Sequence, residues 1–273
     1  STLFPYTTLF RSMGIVFFDY LGAEVVGLET TAGNLLGFLN LAELGIGMSV
    51  TYFMYKPLFS KDYEEINRIV ALQGWIYKRV AFLVIAGALV LMCFFPIIFK
   101  SMKLPLWYAY AVFGVFLFGS LLGYFVNYRQ IVLNADQKGY KVTRVTTGMN
   151  VVLRIIQILL LPIVPNPFIF YISTTLFSTI FTCWWLNHTV AKEYPWLKTR
   201  GLNGKDLLRD YPEVITKTKQ LFVHKITTVL LFQGTPFIMY AFSTLSIVAC
   251  YANYLLIVGK LKDVVSMVYS SMG

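Results

Sequence analysis

Charged residues are scarce in this sequence, and its few cysteines are far apart. Only 13% of the 273 residues are charged, whereas 57% are hydrophobic. A soluble domain carries about 25% charged residues, so this scarcity excludes an ordinary soluble domain and indicates several passes through a membrane. Cys93, Cys183 and Cys250 lie in separate apolar runs. Their odd number and wide spacing exclude a disulfide framework and a cysteine-based metal site.

Signature motifs of common enzymes are lacking as well. The sequence contains no GxxxxGK[ST] phosphate loop, no HExxH, no GxSxG and no cluster of histidines and cysteines. Its polar loops carry scattered, mostly basic charge, whereas membrane enzymes that act on lipid-linked sugars gather acidic or histidine side chains. We therefore predict a transporter that is not an enzyme and needs no cofactor. Coupling to protons or sodium ions is left open.

Long uncharged runs are abundant, and they predict seven membrane-spanning helices. About 20 apolar residues suffice to cross the hydrocarbon core of a bilayer as a helix. The last run, 226–259, is too long for one span, so we expect two helices that meet near Ser243. A Pro-Asn-Pro turn is predicted at 165–167. The other predicted spans are 30–55, which contains Glu43, 81–99, 104–128, 145–164, which contains Arg154, and 168–186.

Both ends of the chain are predicted to be artificial. Residues 2–12 resemble the translation of a sequencing adapter, so we expect residues 1–12 not to belong to the natural protein. Residues 13–18 are then the remnant of a first helix, too short to cross a bilayer alone. The chain also stops without a polar tail, from which we expect a truncation at that end.

Basic residues are concentrated on one side of the predicted spans. The segments 56–79, 129–144 and 188–225 contain five, four and eight lysines and arginines. The connections on the opposite side contain two in all, both in 100–103. Because cytoplasmic loops of membrane proteins are enriched in Lys and Arg, the three basic segments are predicted to be cytoplasmic. The net charge of +10 then reflects topology and does not indicate nucleic-acid binding.

Arg154 is the first candidate for substrate binding. It lies ten residues after Arg144, which corresponds to about 15 Å along a helix and to a position near the bilayer midplane. In one interpretation, its guanidinium faces an internal cavity and binds an anionic head group such as a phosphate in a bidentate manner. In the other, it forms a buried structural pair, with Glu43 as a candidate partner. The substrate-binding interpretation is favoured.

The remaining charges in the predicted spans also have two interpretations each. Lys260 and Lys262 either add positive charge to the same cavity or, with Asp263, form an i,i+3 pair. Lys225 either binds substrate or is an ordinary basic residue at the cytoplasmic interface. Glu43 either hydrogen-bonds to a neighbouring helix at a glycine-rich contact or forms a proton or sodium site that couples transport. The structural interpretation is favoured for Lys225 and Glu43.

Four short motifs resemble those of a transporter family. The run LNLAELGIGMSVTYFMYKPL at 39–58 follows LGAEVVGLE at 21–29. Residues 134–140 resemble an ADQK-x-Y element, 223–226 an HK-I element and 252–254 part of a YSNY element. In their order and content, these motifs are similar to those of bacterial polysaccharide-unit flippases, the Wzx-like O-antigen group. This group belongs to the multidrug/oligosaccharidyl-lipid/polysaccharide exporter superfamily.

The resemblance implies an all-helical protein with two six-helix lobes around a central cationic cavity. Residues 13–187 would form the N-terminal lobe, 188–221 a cytoplasmic inter-lobe loop and 222–273 the first two helices of the second lobe. The implied function is the transfer of an undecaprenyl-pyrophosphate-linked oligosaccharide across the bacterial inner membrane for lipopolysaccharide or other surface polysaccharide synthesis. Implied partners are this lipid-linked oligosaccharide, the bilayer, and a glycan polymerase or glycosyltransferases.

Two other functions stay open on the sequence alone. A drug or metabolite exporter of the same superfamily would be coupled to sodium or protons and would more naturally carry carboxylates in its spans. Relatives often have an acidic residue after a threonine in the seventh helix, where this chain has Thr235-Pro236. This departure argues against ion coupling at that position. A membrane-embedded enzyme that acts on lipid-linked sugars is disfavoured by the short outer loops.

Overall fold

Helices form every regular element that the structure describes. The computed structural model describes residues 20–43, 45–100, 102–199 and 204–271. The predicted all-helical class is confirmed, and the predicted adapter and helix remnant lie outside the described residues. The helices are α1 (Ala23–Leu39), α2 (Ile46–Ser60), α3 (Tyr63–Cys93), α4 (Phe95–Ile98), α5 (Leu106–Phe125), α6 (Ile131–Ala135), α7 (Gly139–Leu160), α8 (Pro167–Glu193), α9 (Gly204–Asp210), α10 (Pro212–Phe242) and α11 (Leu245–Ser271), with 3₁₀ turns at Asn40–Glu43 and Asn127–Gln130.

Three of the described helices, α3, α5 and α8, are long and apolar enough to cross a membrane. They contain most of the predicted spans 81–99, 104–128 and 168–186. On α3, the side chains of Phe82 and Leu89 are 65% and 60% exposed, as expected for a helix that faces lipid. Membrane association is therefore supported, but the predicted count of seven spans is not confirmed.

The predicted unbroken helix over 30–55 is wrong, because the chain divides there into two helices. A 3₁₀ turn at Asn40–Glu43 follows α1, and α2 starts after Gly45. Gly45 has a φ of 88°, a left-handed conformation that residues with a Cβ rarely adopt. A Cβ at this position would also lie 2.9 Å from the carbonyl oxygen of Thr218 on α10. Glu43 therefore lies at a discontinuity between two helices and not inside a regular one.

Two of the segments predicted as loops are largely helical. Within 56–79, the helical structure is interrupted at Lys61, which has a φ of 56°, and at Asp62. Asp62 caps α3, because its carboxylate accepts a hydrogen bond from the backbone N–H of Glu65 at 3.0 Å. Within 129–144, α6 and the start of α7 take the place of the predicted loop. Many of the basic residues in these segments therefore lie on helices.

Two predicted turns are confirmed. Pro167 is the first residue of α8, and Asn166 caps this helix by accepting a hydrogen bond from the N–H of Ile169 at 3.3 Å. The chain also turns at Ser243, between α10 and α11. The predicted loop 188–221 is shorter than expected, because α8 and α10 extend into it and α9 lies between them.

Helix α1 packs against α5, α10 and α11. Its buried face includes Val25, Leu28 and Ala32, each at most 1% exposed. Gly27 allows a close approach of the chain at the start of α11, since a Cβ there would lie 2.1 Å from the carbonyl oxygen of Leu245. The first and last described helices are therefore in direct contact, although they are far apart in the sequence.

Candidate functional site

A polar cavity of roughly 610 Å³ lies between α2, α3, α5 and the residues that follow α5. Its wall contains the carboxylate of Glu43 and the amides of Gln73, Asn127, Gln130 and Asn134. None of the described residues that line it is basic. We call this space the Glu43 cavity. It is lined by hydrogen-bonding groups although the helices around it are largely apolar, which is the composition expected of a site for a polar ligand.

Four tyrosines form the aromatic part of the same wall: Tyr55, Tyr77, Tyr124 and Tyr128. The rings of Tyr77 and Tyr124 are buried and pack edge to face, with their centroids 5.4 Å apart. Tyr55 is 51% exposed, so its ring remains accessible. Because a tyrosine combines an apolar ring with a polar hydroxyl, the four offer both kinds of contact to a ligand.

Glu43 is held at the helix break by neutral donors. The hydroxyl of Tyr77 donates a hydrogen bond to Glu43 Oε1 at 2.6 Å, and Tyr124 interacts with the same carboxylate. Tyr124 and Ser120 also donate to Oδ1 of Asn40, at 2.9 and 3.0 Å. These bonds join the end of α1 to α3 and α5. The hydrogen bond from a neighbouring helix that the sequence suggests for Glu43 is therefore present, and the same residue also lines the cavity.

Three amide oxygens at this wall have no hydrogen-bond partner among the described residues. They are Oε1 of Gln73, Oδ1 of Asn127 and Oε1 of Gln130. Gln73 and Asn127 are only 2% and 8% exposed. Close packing of Tyr128 against Gly74, where a Cβ would lie 2.7 Å from the ring, brings α3 and the segment after α5 together here. A buried oxygen without a donor costs about 1–3 kcal/mol, so the close packing at this wall comes with some loss of folding free energy.

Arg154 lies in a second polar cluster. Its Nη1 donates hydrogen bonds to Gln157 Oε1 at 3.2 Å and to the hydroxyl of Tyr171 at 3.4 Å. Tyr171 donates in turn to the carboxylate of Glu29, on which Arg154 acts electrostatically. The fully buried Gln157 donates to Thr174 at 3.0 Å. This cluster joins α1, α7 and α8, and it holds the guanidinium among polar groups within an apolar bundle.

The carboxylate beside Arg154 is Glu29, and the suggested pairing with Glu43 is wrong. The sequence does not single out Glu29, because this residue immediately precedes the run 30–55, in which Glu43 is the one charge, and so resembles a residue at a helix boundary. Helix α1 starts before it, so Glu29 lies inside the helix. Tyr171 was missed because tyrosines are frequent in every span, and spacing alone does not indicate which of them meets a carboxylate.

Lys225, Lys260 and Lys262 lie on the two last helices. Lys225 belongs to α10, and Lys260 and Lys262 belong to α11. Their side chains lie outside the described part of the structure. Their assignment to substrate binding, like that of Arg154, therefore stays a prediction.

The start of α7 is joined to the end of α8 by a network of ion pairs. Lys138 Nζ lies 2.8 Å from a carboxylate oxygen of Asp136 and 2.8 Å from one of Glu193, which also pairs with Lys141. Tyr194 donates to Asp136 at 2.8 Å. Burial alone would raise the pKa of Asp136, but hydrogen bonds from Lys138 and Tyr194 lower it. Hydrogen bonds to both carboxylates raise the pKa of Lys138. Asp136 and Lys138, in the ADQK-like motif, thus have a structural role.

No family model, characterised protein or solved structure matches this chain. The similarity of its motifs to polysaccharide-unit flippases is therefore still a prediction. Within the part of the chain that the structure describes, no group of three or more His, Cys, Asp or Glu side chains could hold a metal ion. Among the described residues, the Glu43 cavity and the Arg154 cluster are two of the places where polar groups converge between helices.

Proposed function

We propose that this protein is a membrane flippase with seven spans that moves an undecaprenyl-pyrophosphate-linked oligosaccharide across the bacterial inner membrane. The observation that carries the proposal is the Glu43 cavity, a polar space between helices of a largely apolar chain. Sugar hydroxyls lose their hydrogen bonds with water when they enter hydrocarbon, so a carrier must replace those bonds along a shielded path. A cavity lined with amides and tyrosines supplies such replacements.

The pyrophosphate requires a different environment from the sugar. Its charge is compatible with a basic residue inside the bundle, and the half-buried Arg154 is the candidate that the structure describes. In the proposal, the pyrophosphate competes with Glu29 for the guanidinium. Lys225, Lys260 and Lys262 would add positive charge from α10 and α11.

Replacement of Arg154 tests this function. In cells that depend on the protein for surface polysaccharide, Arg154→Ala should abolish export, because the pyrophosphate loses its guanidinium partner, while the protein still inserts into the membrane. Arg209→Ala on α9 is the matched control, since Arg209 is exposed and lines neither the Glu43 cavity nor the cavity beside Lys141 and Arg144. It should leave export within about twofold of the unmodified protein. Export is measured as surface polysaccharide, and insertion as the amount of protein in the membrane fraction.

A failure to fold must be separated from a failure to transport. Arg154→Ala leaves Glu29 without its positive neighbour, so the double variant Glu29→Gln/Arg154→Ala removes both charges together. If the double variant inserts normally and still fails to export, the guanidinium itself is required. Normal export by either variant would contradict the proposed role of Arg154.

A cation-coupled drug or metabolite exporter is the second candidate. Two carboxylates, Glu29 and Glu43, lie on or beside the broken helix, and such an exporter needs acidic groups within its bundle. The two functions differ in a measurable way. An exporter lowers drug accumulation in cells under a sodium or proton gradient, whereas the proposed flippase restores surface polysaccharide without changing drug accumulation.

A further inference from the structure

The described lining of the Glu43 cavity contains an acidic residue but no basic one. Its polar lining consists of one carboxylate, amides and hydroxyls, and none of its described lining residues is a lysine, arginine or histidine. Three amide oxygens beside it are buried without a partner in the described part of the chain. The cavity therefore offers a carboxylate and hydrogen-bonding amides, and its described lining residues include no counter-charge for an anion.

We propose that the Glu43 cavity holds the glycan and selects sugars that are neutral or carry a free amine, while rejecting sugars that carry a carboxylate. This inference rests on the proposed function, and it adds the class of glycan that the carrier accepts. Sugar hydroxyls and ammonium groups are donors, and the Glu43 carboxylate and the exposed amide of Asn134 in the cavity wall accept from them. A uronic acid instead places a second carboxylate in the same cavity as Glu43, where none of the described lining residues is basic.

The orientation of Gln73 supports an acceptor-rich wall. The Tyr77 hydroxyl gives its proton to Glu43, so it offers a lone pair to other neighbours. The Gln73 amide interacts with this same hydroxyl. Its NH₂ group is therefore the part that faces Tyr77, and Oε1 is left without a donor, as observed.

The exposed ring of Tyr55 supplies the apolar contact that a sugar needs. Sugar rings present C–H groups on their faces, and these pack against aromatic faces. Tyr55 lines the cavity and is 51% exposed, whereas Tyr77 and Tyr124 are buried and bonded to Glu43 or Asn40. Tyr55 is therefore the stacking residue in this proposal, and the amides behind it bind the hydroxyls.

Equilibrium binding to the full chain in lipid nanodiscs tests the proposal. Four probes are used: a neutral trisaccharide, the same trisaccharide with one amino sugar, the same with one uronic acid, and undecaprenyl pyrophosphate alone. The neutral and amino probes should bind, and the uronic-acid probe should bind at least about tenfold more weakly. Glu43→Gln, whose side-chain oxygen still accepts the bond from Tyr77, should raise the affinity for the uronic-acid probe.

Tyr55→Ala should weaken binding of the neutral trisaccharide by about tenfold. Tyr20→Ala is the matched control, because Tyr20 is 46% exposed and lines neither the Glu43 cavity nor the cavity beside Lys141 and Arg144. It should leave binding of all four probes unchanged. Because both tyrosines are exposed, neither substitution is expected to prevent folding.

The outcomes separate this inference from the proposed function. The selectivity would be overturned by equal binding of the neutral and uronic-acid probes, or by an unchanged affinity of Glu43→Gln for the uronic-acid probe. Either result would leave the flippase proposal intact. Binding of undecaprenyl pyrophosphate without any trisaccharide would show that the cavity does not hold the glycan, although the protein could still carry this lipid. If none of the four probes binds, both the inference and the proposed function fail.

Discussion

Tyrosine hydroxyls hold many of the carboxylates in this protein. A tyrosine donates to a carboxylate without bringing a second charge, so only one ionised group has to be removed from water. The tyrosine ring is also long enough to join two helices. The pairs are Tyr77 with Glu43, Tyr171 with Glu29, Tyr194 with Asp136 and Tyr211 with Glu65. Each pair connects residues that are far apart in the sequence, so a single tyrosine hydroxyl is enough to join two separate segments of the chain.

Removal of one such hydroxyl should cost stability at the helix break. In Tyr77→Phe, the Glu43 carboxylate loses the donor at 2.6 Å while the ring still fills its place. A hydrogen bond to a charged group contributes about 1.5–3 kcal/mol, so we expect a loss of roughly that size. The measurement is thermal unfolding of the purified protein in detergent.

Tyr110→Phe is the matched control for this prediction. The Tyr110 hydroxyl donates to the backbone carbonyl of Met92 at 3.1 Å, which is a bond between neutral groups. Its removal should cost about 0.5–1.5 kcal/mol. If Tyr77→Phe loses no more free energy of unfolding than Tyr110→Phe, the hydrogen bond to Glu43 contributes no more than a bond between neutral groups.

The sequence identified only some of these residues. Glu43 could be found because it is the single charge in an otherwise uncharged run. Glu29 could not, since it adjoins the same run and looks like a residue at its edge. The amides of Gln73 and Asn127 carry no charge, and only their burial without partners marks them as unusual. A charged residue within an apolar run can be recognised in a sequence. A buried oxygen without a hydrogen-bond donor can be recognised only when the packing of the helices is known.

At the scale of helices, glycines determine how closely α1 approaches its neighbours. A Cβ at Gly27 would lie 2.1 Å from the Leu245 carbonyl oxygen, which belongs to the backbone and cannot rotate away. Gly27→Ala should therefore lower the free energy of unfolding by about 3 kcal/mol, at the upper end of the usual cost of overpacking. Thermal unfolding and the yield of monodisperse protein are the measurements.

Gly33 on the same helix provides the internal control. A Cβ there would meet only a ring carbon of Phe116, at 3.8 Å, which is an ordinary contact. Since alanine is a better helix former than glycine, Gly33→Ala should raise stability by roughly 0.5–1 kcal/mol. Equal effects of the two substitutions would contradict the close approach of α1 to the start of α11.

The positions of two turns could be predicted, but the division of the first span could not. The turns at 165–167 and at Ser243 follow from proline and from run length, both of which are local signals. The break before Gly45 depends on α10, whose Thr218 carbonyl and Leu221 side chain leave no room for a Cβ. Gly45 is one of several glycines in the run, and the sequence does not indicate which of them meets another helix.

At the scale of the whole molecule, the two sides of the membrane can be distinguished by chemical labelling. Lys61 lies in the turn between α2 and α3, in the basic segment predicted to be cytoplasmic, and Lys103 lies before α5, in a connection predicted to be on the opposite side. Both side chains are exposed. In a background without Cys93, Cys183 and Cys250, a membrane-impermeant maleimide applied to intact cells should label Lys103→Cys and should not label Lys61→Cys.

Inverted membrane vesicles reverse the exposure of the two sides. In them, the same reagent should label Lys61→Cys and should not label Lys103→Cys. Labelling of both positions from one side would contradict the orientation derived from the basic segments. The experiment also tests whether α3 crosses the membrane, because this helix lies between the two positions.

The contact between Gly27 and Leu245 has a consequence for the order of assembly during synthesis. Helix α1 leaves the ribosome among the first, but its packing surface is completed only when α10 and α11 have been made. Contacts between distant parts of a chain are slow to form, because the intervening segment must first be ordered. Until then, the face of α1 that packs against α10 and α11 lacks its neighbours, although the partners of Glu29 on α7 and α8 have already been made. Ribosome-bound chains that end before residue 245 should therefore be more sensitive to proteases around α1 than chains that include α11.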